Sequence, residues 1–120
     1  MHSNVQRCRA YDAMILNDAE QAGGRKYAEI CALAYRQVIA AHKLFKDEKG
    51  NLLFFSKENN SNGCINTVDL TYPSAPLFLI YNPDLQKAMM TSIFEYSASG
   101  RWNKPFPAHD LGTYPIANGQ

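Results

Sequence analysis

Two long stretches without helical or strand periodicity constrain this 120-residue chain more than its helices do. Residues 56–72 and 101–120 show no period; the first stretch is rich in Asn, and the second is rich in Pro and aromatic residues rather than in Lys, Glu and Ser. Such a composition does not favour disorder, and loops longer than about 12–15 residues in a compact domain are often functional. Three or four helices are too few to cover both stretches, so we expect the chain to be part of a larger helical domain.

Two helices joined by a glycine turn are predicted for the first third of the chain. Residues 5–22 and 25–45 place apolar side chains at steps of three and four, the period of an amphipathic helix. Gly23 and Gly24 stand between them, and glycine commonly ends a helix. We therefore predict an αα-hairpin, with His42 on a face of its second helix.

Shorter elements follow the predicted hairpin. The segment Lys46–Asn51 predicts a turn, and the apolar run Leu52–Phe55 predicts a strand or extended segment. Helical character returns at Pro73. Asn82-Pro83 predicts an N-cap followed by proline at the first position of the next helix, and Gly100 marks the end of that helix.

The overall composition bears on the class of partner. A net charge of +1, with 19% charged and 46% hydrophobic residues, is ordinary for one globular unit and does not predict a nucleic-acid partner. The sequence contains no run of about 18 apolar residues, so we expect no membrane-spanning helix. The first residues, MHSNVQRCRAYD, lack the apolar core of a signal peptide. We therefore expect no nucleic-acid or membrane partner, and the sequence leaves the localisation of the chain open.

No cofactor and no metal site is predicted. Cys8, Cys31 and Cys64 are widely spaced and form no CxxC pair. The three thiols and one histidine could surround a zinc ion, but no ligand-pair spacing supports such a site. The sequence also lacks a phosphate-binding loop, an HExxH pair and a Ser-His-Asp spacing.

Two carboxylates in the first aperiodic stretch are candidates for catalysis. Glu58 follows the apolar run, and Asp69 precedes the helix at Pro73. Both lie among neutral amide and aromatic side chains, where carboxylates bind sugar hydroxyls or act as acid, base or nucleophile. The structural alternatives are a solvated Glu58 and an Asp69 that caps a helix or braces a loop.

The second aperiodic stretch adds a candidate base and aromatic surface. His109-Asp110 can act as a general-base pair, but sequence neighbours rarely point at each other, so we do not expect a relay between them. The structural alternative is a histidine and an aspartate that tie the proline-rich loop together. Four aromatic residues can form a sugar-stacking wall or pack against further helices: Tyr72, Trp102, Phe106 and Tyr114.

Three segments carry a resemblance to a known family. GGRKYAEICALAYRQVIAAHKL, FSKENNSNGCINTVDLTYPSAPLFLIYNPDLQKAMM and FPAHDLGTYPIANGQ resemble, in this order, the glutaminase A family. The resemblance implies an all-α chain, an incomplete α/α toroid of the six-hairpin glycosidase type formed by the first helical hairpins and their long loops. Residues 1–120 would be the first part of that toroid in a large protein, mainly secreted or periplasmic in this family, with the remaining hairpins and a β-rich domain as partners.

A second resemblance concerns mechanism. Four motifs are similar in layout to retaining β-glucosidases of the non-lysosomal glucosylceramidase type: Glu58, TVDL at Thr67–Leu70, NP-L at Asn82–Leu85 and PAHDLG at Pro107–Gly112. The similarity implies that Glu58 is the nucleophile, while the acid lies further along the chain. It also implies substrate contacts at Asp69, His109 and Asp110. The residues around the motifs differ from those of the glucosidases.

We therefore predict part of a glutaminase A-like hydrolase that, when complete, cleaves glycosidic or amide bonds in a small-molecule or carbohydrate substrate. The chain would supply one wall of the active-site cleft and would have no turnover by itself. The alternative is a non-catalytic helical interaction module that self-associates through exposed apolar helix faces. The predicted catalytic residues are Glu58 and Asp69. The predicted substrate contacts are Asn66, Thr67, Tyr72, Trp102, His109, Asp110 and Tyr114.

Overall fold

The computed structural model describes residues 2–120, which divide into two compact units at the boundary between Ile39 and Ala40. In chain order the elements are α1 (His2–Ala40), β1 (His42–Lys46), β2 (Leu52–Ser56), α2 (Val68–Tyr81) and α3 (Pro83–Ala98). The described chain is therefore mostly helical with a small antiparallel sheet, and the all-α prediction is corrected to that extent. No helix within residues 2–120 combines the length and the apolar character needed to cross a bilayer.

The first element, α1, consists of two helical arms joined at Gly24. The backbone at Gly24 has φ 80° and ψ 176°, a conformation outside the helical region that glycine adopts readily. The chain folds back at this glycine, as the contact between the two arms shows: the rings of Tyr11 and Tyr35 lie 6.5 Å apart and their hydroxyls 3.3 Å apart. The predicted αα-hairpin with its glycine turn is confirmed.

The second arm ends at Ala40 rather than at residue 45. Residues 42–46 form β1, which pairs with β2 so that Lys43 lies opposite Phe55. The helical spacing of apolar residues continues to Phe45, but an isolated β2 would leave its backbone groups unpaired, and β1 supplies their partners. His42 was therefore placed wrongly on a helix; its ring stacks on Phe54 in the sheet, with centroids 4.5 Å apart.

The turn and the strand predicted after β1 are both confirmed. The carboxylate of Asp47 accepts the backbone N–H groups of Lys49 and Asn51 at 2.9 and 2.7 Å, which closes the turn. The strand over Leu52–Ser56 includes the whole apolar run. The inward face of β2 carries Phe54 and Ser56, both buried.

The core of the second unit lies where the inward face of the sheet meets α2 and α3. Phe54 packs edge-on against Phe78 of α2, with ring centroids 5.5 Å apart. The Nε2 atom of His42 lies 3.3 Å from the sulfur of Met89 on α3. Met89 has no exposed surface, which makes it the centre of this core.

The limits of α2 and α3 were predicted unequally well. The start of α2 is Val68, not Pro73, and Pro73 and Pro76 both lie inside the helix. Proline most often occupies the first turn, so it gave a start that was too late. The limits of α3 are confirmed, since Asn82 precedes Pro83 and Gly100, with φ 82°, follows the last turn. The side chain of Asn82 makes no capping hydrogen bond.

The two aperiodic stretches cover each other by pairing their backbones. Ile65 donates its N–H to Gly112 and accepts the N–H of Leu111, both at 2.9 Å. Tyr114 donates to the carbonyl of Gly63 at 2.9 Å, and Val68 donates to the carbonyl of His109 at 3.0 Å. Ile65 and Leu111 are buried as a result. The two stretches therefore satisfy much of each other's backbone, which the sequence analysis did not foresee; that the chain is part of a larger helical domain stays a prediction.

Candidate functional site

The pairing of the two stretches brings four predicted site residues into one cluster, which we name the His109 cluster: Thr67, Asp69, His109 and Asp110. Thr67 and Asp69 flank the first residue of α2, and the bond from the Val68 N–H to the carbonyl of His109 holds that helix start against the second stretch. The cluster therefore depends on a contact between segments about forty residues apart.

His109 lies between two carboxylates. Its Nδ1 atom is 3.0 Å from Oδ2 of Asp110, and its Nε2 atom is 3.2 Å from Oδ2 of Asp69. The hydroxyl of Thr67 lies 3.4 Å from Nδ1. The hydrogen bond to Asp110 is the main cause that raises the pKa of His109 above its usual value, against the opposite effect of burial, and Asp69 adds to the rise.

Asp110 is the fixed member of the cluster. Its side chain is 8% exposed, whereas that of Asp69 is 77% exposed. Its Oδ1 atom accepts the N–H of Gly112 at 2.7 Å, which turns the chain back on itself and directs Oδ2 towards the ring of His109. The expectation that these sequence neighbours do not point at each other was wrong. The spacing Asp-x-Gly, which favours such a turn, was the sequence signal that could have indicated it.

Asp69 lies in the first turn of α2, where the helix dipole favours a negative charge. It pairs with His109 across the surface and leaves the helix start without a side-chain cap, since Thr67 makes no capping hydrogen bond either. The cluster thus has a buried end at Asp110 and a solvent-facing end at Asp69. An imidazole held in this way can accept or donate a proton on its accessible side.

Glu58 braces the loop that follows it. Its Oε1 atom accepts the N–H of Asn60 at 2.9 Å, and Oε2 accepts those of Asn62 and Gly63 at 2.8 and 3.0 Å. Hydrogen bonds from the backbone, that of Ser61 first, lower the pKa of Glu58 to about 2. The side chain stays partly open to solvent, as the structural alternative expected, and in addition it holds the loop; its catalytic role stays a prediction.

Asn66 joins three parts of the second unit through a fully buried side chain. Its Oδ1 atom accepts the N–H of Ser56 at 2.7 Å, while Nδ2 donates to the carbonyl of Met89 at 3.1 Å and to the hydroxyl of Ser92 at 2.8 Å. Its backbone has φ 50°, a value that asparagine tolerates better than most residues. The substrate contact predicted for Asn66 stays untested, whereas this bracing role was missed because its partners are remote in sequence.

The four aromatic side chains do not stack as one group within the described residues, and both the sugar-stacking wall and the packing against further helices stay predictions. Trp102 contacts Phe106 at a centroid distance of 6.1 Å and donates from its indole N–H to the carbonyl of Phe106. Tyr114 instead lies under the ammonium group of Lys57, and Tyr72 is exposed on α2. Among residues 2–120 no ring contact links Trp102 or Phe106 to Tyr114 or Tyr72.

Residues 24–120 match the family model of the glutaminase A six helical-hairpin domain. The chain belongs to the glutaminase A family. It is 39% identical over 109 residues to a protein named glutaminase A from Aspergillus oryzae, a stretch that covers 90% of this chain and 16% of that protein. It is 35% identical over 104 residues to a probable glutaminase from Arthroderma benhamiae, which covers 87% and 12%. No solved structure matches the chain.

The family assignment and the site occupy the same part of the chain. Every site residue predicted for this glutaminase A-family chain lies within the matched range, residues 24–120. The helical hairpin of α1 and the helices α2 and α3 fit a domain built from helical hairpins. The chain spans less than a fifth of the length of the two relatives.

The described part of the chain holds no group of three or more His, Cys, Asp or Glu side chains arranged to bind a metal ion. The thiols of Cys8, Cys31 and Cys64 form no disulfide. The carboxylates of the His109 cluster are directed at the imidazole and at Gly112 rather than at a common centre. The side chains of the His109 cluster can transfer protons and form hydrogen bonds.

Proposed function

We propose that this chain supplies one wall of the active-site cleft of a glutaminase A-type hydrolase, within an α/α toroid of the six-hairpin type. His109 transfers the proton in the reaction. The observation that carries the proposal is the imidazole held between Asp110 at 3.0 Å and Asp69 at 3.2 Å. Both of these relatives bear the name glutaminase, so hydrolysis of the side-chain amide of glutamine is the reaction to test first.

The division of labour within the His109 cluster follows from burial. Asp110 is buried and bonded to the N–H of Gly112, so it orients the imidazole through Nδ1 and stabilises the protonated ring. Asp69 is exposed, so it can be displaced from Nε2 by water or by the leaving group of a substrate. His109 would then accept a proton from the attacking water and deliver it to the amide nitrogen, which leaves as ammonia.

Amide hydrolysis fits this geometry better than glycosidic cleavage. A retaining glycosidase needs two carboxyl groups about 5 Å apart, and an inverting one about 6.5–9.5 Å apart. Glu58, the candidate nucleophile for a glycoside, already accepts three backbone N–H groups, which leaves little of its lone-pair capacity for a substrate. A histidine oriented by a buried carboxylate is instead an acid–base device suited to acyl transfer.

A chimera tests the proposal. The 109 matched residues of this chain replace the corresponding stretch of the Aspergillus oryzae relative, and ammonia release from glutamine is measured beside sugar release from aryl-glycosides. We expect ammonia release by the chimera and no turnover of either substrate by the 120-residue chain alone. Turnover by the isolated chain would contradict the assignment of this chain to one wall of a larger cleft.

Substitutions in the chimera separate the roles of the residues. We expect His109→Gln to reduce kcat by about 10²–10⁴-fold, the usual contribution of a general acid–base group. Asp69→Asn is compared with Asp84→Asn, which removes an exposed carboxylate from the first turn of α3 and should leave turnover unchanged. Full activity of a folded His109→Gln chimera would overturn the proposed function.

A second candidate function has its own observation. Large apolar side chains are exposed on α2 and α3, among them Tyr72, Leu79, Ile80 and Phe94. A mostly apolar groove of about 330 Å³ runs between the two helices. These features support a non-catalytic interaction module that self-associates. Light scattering separates the two: a discrete dimer favours the module, and a heterogeneous mixture that grows with concentration favours a part of a larger domain.

A further inference from the structure

The outer face of the β1–β2 hairpin forms one side of another cavity, which is separate from the His109 cluster. The cavity has a volume of about 340 Å³, and we name it the hairpin pocket. Its lining includes Lys43, Phe45, Phe55, Lys57, Tyr114 and Ile116. None of Asp69, His109 and Asp110 lines it.

The strand register explains why these side chains share a face. Lys43 lies opposite Phe55, and side chains in a strand alternate between the two faces of the sheet. Phe54 and Ser56 point into the core, so Phe55 and Lys57 point outwards. The segment 114–117 closes the far side of the outward face and turns it into a pocket.

Two ammonium groups at the hairpin pocket have no carboxylate partner. Lys57 holds its Nζ atom 4.7 Å from the ring centroid of Tyr114, a cation–π contact that positions the charge beside the pocket. Lys43 is exposed on the neighbouring strand. Across the described residues, the ion pairs of the chain involve neither of these two lysines.

The rest of the hairpin pocket is apolar. The rings of Phe45 and Phe55 lie 5.4 Å apart, and Phe45 and Ile116 remain largely exposed to solvent. Exposed aromatic surface of this kind gains free energy when a ligand covers it. The volume is at the lower end of the range for small-molecule sites, about 300–1,000 Å³, so the pocket suits a ligand with one ring rather than a peptide.

We infer that the hairpin pocket binds a small carboxylate that carries an aromatic or apolar body. The body covers Phe45, Phe55 and Ile116, and the carboxylate lies between the ammonium groups of Lys43 and Lys57. A carboxylate fits better than a phosphate, because the mostly apolar lining offers few hydrogen bonds to replace the hydration of a doubly charged ion. This site does not rest on the proposed hydrolase function; Tyr114 is the residue it shares with the substrate contacts predicted from sequence.

The test is an NMR titration of the ¹⁵N-labelled chain with 3-phenylpropanoate, with 3-phenylpropanamide as the neutral control of the same shape. We expect saturable shifts of backbone signals from residues 43–45, 55–57 and 114–117 with the carboxylate. The amide should bind more weakly, by roughly two- to five-fold for each ammonium that loses its partner. Inorganic phosphate should give no saturable shift at these signals.

Matched variants decide whether the lysines are responsible. Lys57→Gln and Lys43→Gln should each weaken binding of 3-phenylpropanoate by roughly two- to five-fold, whereas Lys87→Gln, at an exposed site on α3, should not change it. The lysines are exposed, so the variants keep the native spectrum and remain informative. Equal binding of carboxylate and amide, tighter binding of phosphate, or unchanged affinity in both lysine variants would overturn the inference.

Discussion

Glu58 and Asp69 show how the backbone around a carboxylate decides what it can do. Glu58 is surrounded by N–H groups of its own loop, and these take up both of its oxygens. Asp69 meets one imidazole and otherwise solvent. The first arrangement lowers the proton affinity of the carboxylate and holds a loop, while the second leaves a group free to exchange partners.

The first prediction concerns Glu58 and pH. Because the folded pKa of Glu58 is lowered to about 2 from 4.5, its contribution to stability is present above about pH 4.5 and is lost as the pH falls towards 2. Glu58→Gln should lower the Tm at pH 7, since its amide NH₂ would face backbone N–H donors, and the difference from the parent chain should vanish near pH 2. Thermal melts followed by circular dichroism measure this.

Glu48→Gln is the control for Glu58, because Glu48 is exposed in the turn between the strands. It should leave the Tm unchanged at every pH. If Glu58→Gln keeps the parental Tm and, in the chimera, abolishes sugar release from aryl-glycosides, then Glu58 is the nucleophile implied by the resemblance to β-glucosidases and the bracing role is secondary.

The second prediction concerns the charge state of His109. Its folded pKa is raised chiefly by Asp110, so the stability it contributes is complete below about pH 6.5 and is lost as the pH rises through the folded pKa. Asp110→Asn should move the pKa of His109 down towards 6.5, because the amide removes the negative charge beside Nδ1. NMR titration of the histidine ring signals measures the shift, with the signal of His42 as internal control. A pKa of His109 that is the same in both proteins would contradict the cluster geometry.

At the scale of elements, the second aperiodic stretch depends on a close approach of its backbone to itself. Gly112 has φ 94°, and a Cβ there would lie 2.8 Å from the carbonyl oxygen of Gly119. Gly119 donates its N–H to the carbonyl of Leu111 at 2.8 Å, which holds the two glycines together. The end of the stretch is thus fastened beside the turn that orients Asp110.

The third prediction tests that approach with a matched pair of glycines. Gly112→Ala should destabilise the chain by about 2–4 kcal/mol, the sum of a strained positive φ and a backbone clash. Gly50→Ala has a similar φ of 85° but open space around its Cβ, so it should show only the cost of the backbone conformation, about 1–2 kcal/mol. Denaturant unfolding measures both, and equal losses would show that no crowding exists at Gly112.

At the scale of the whole molecule, α2 and α3 carry more apolar surface than the described chain covers. Phe78 is the buried residue of α2, while Leu79 and Ile80, which follow it, are largely exposed. A helix that is apolar on several faces is stable when something packs against each of them. We therefore propose the groove between α2 and α3 as the surface through which the chain associates with further helices or with another copy.

The fourth prediction concerns that association. Phe94→Lys places a charge in the groove, where Phe94 is 51% exposed, and it should lower the weight-average mass of the chain in solution. Ile116→Lys is the control, because Ile116 is more exposed, at 75%, but lies outside the groove. Sedimentation velocity over a range of concentrations measures both. A parent chain that is monomeric throughout, or an equal effect of the two substitutions, would contradict the prediction.

Signals between neighbouring residues were sufficient for part of the fold. Gly23-Gly24 located the turn of α1, Asn82-Pro83 and Gly100 bounded α3, and the segment Lys46–Asn51 predicted the turn between the strands. Each of these signals acts within a few residues, through a restricted φ or a local hydrogen bond. The long motifs of the two aperiodic stretches also indicated the family before any contact was known.

Only the tertiary structure decided those features that depend on contacts between residues remote in the sequence. Residues 42–46 continue the helical spacing, yet they form β1 because β2 offers backbone partners six to fourteen residues away. His109 meets Asp69 across forty residues, and the engagement of Glu58 depends on how its loop closes. A sequence states which side chains are available. It does not state which backbone groups need a partner, because that is known only when the chain has folded. Those backbone groups determine β1, the pairing of the two aperiodic stretches and the His109 cluster.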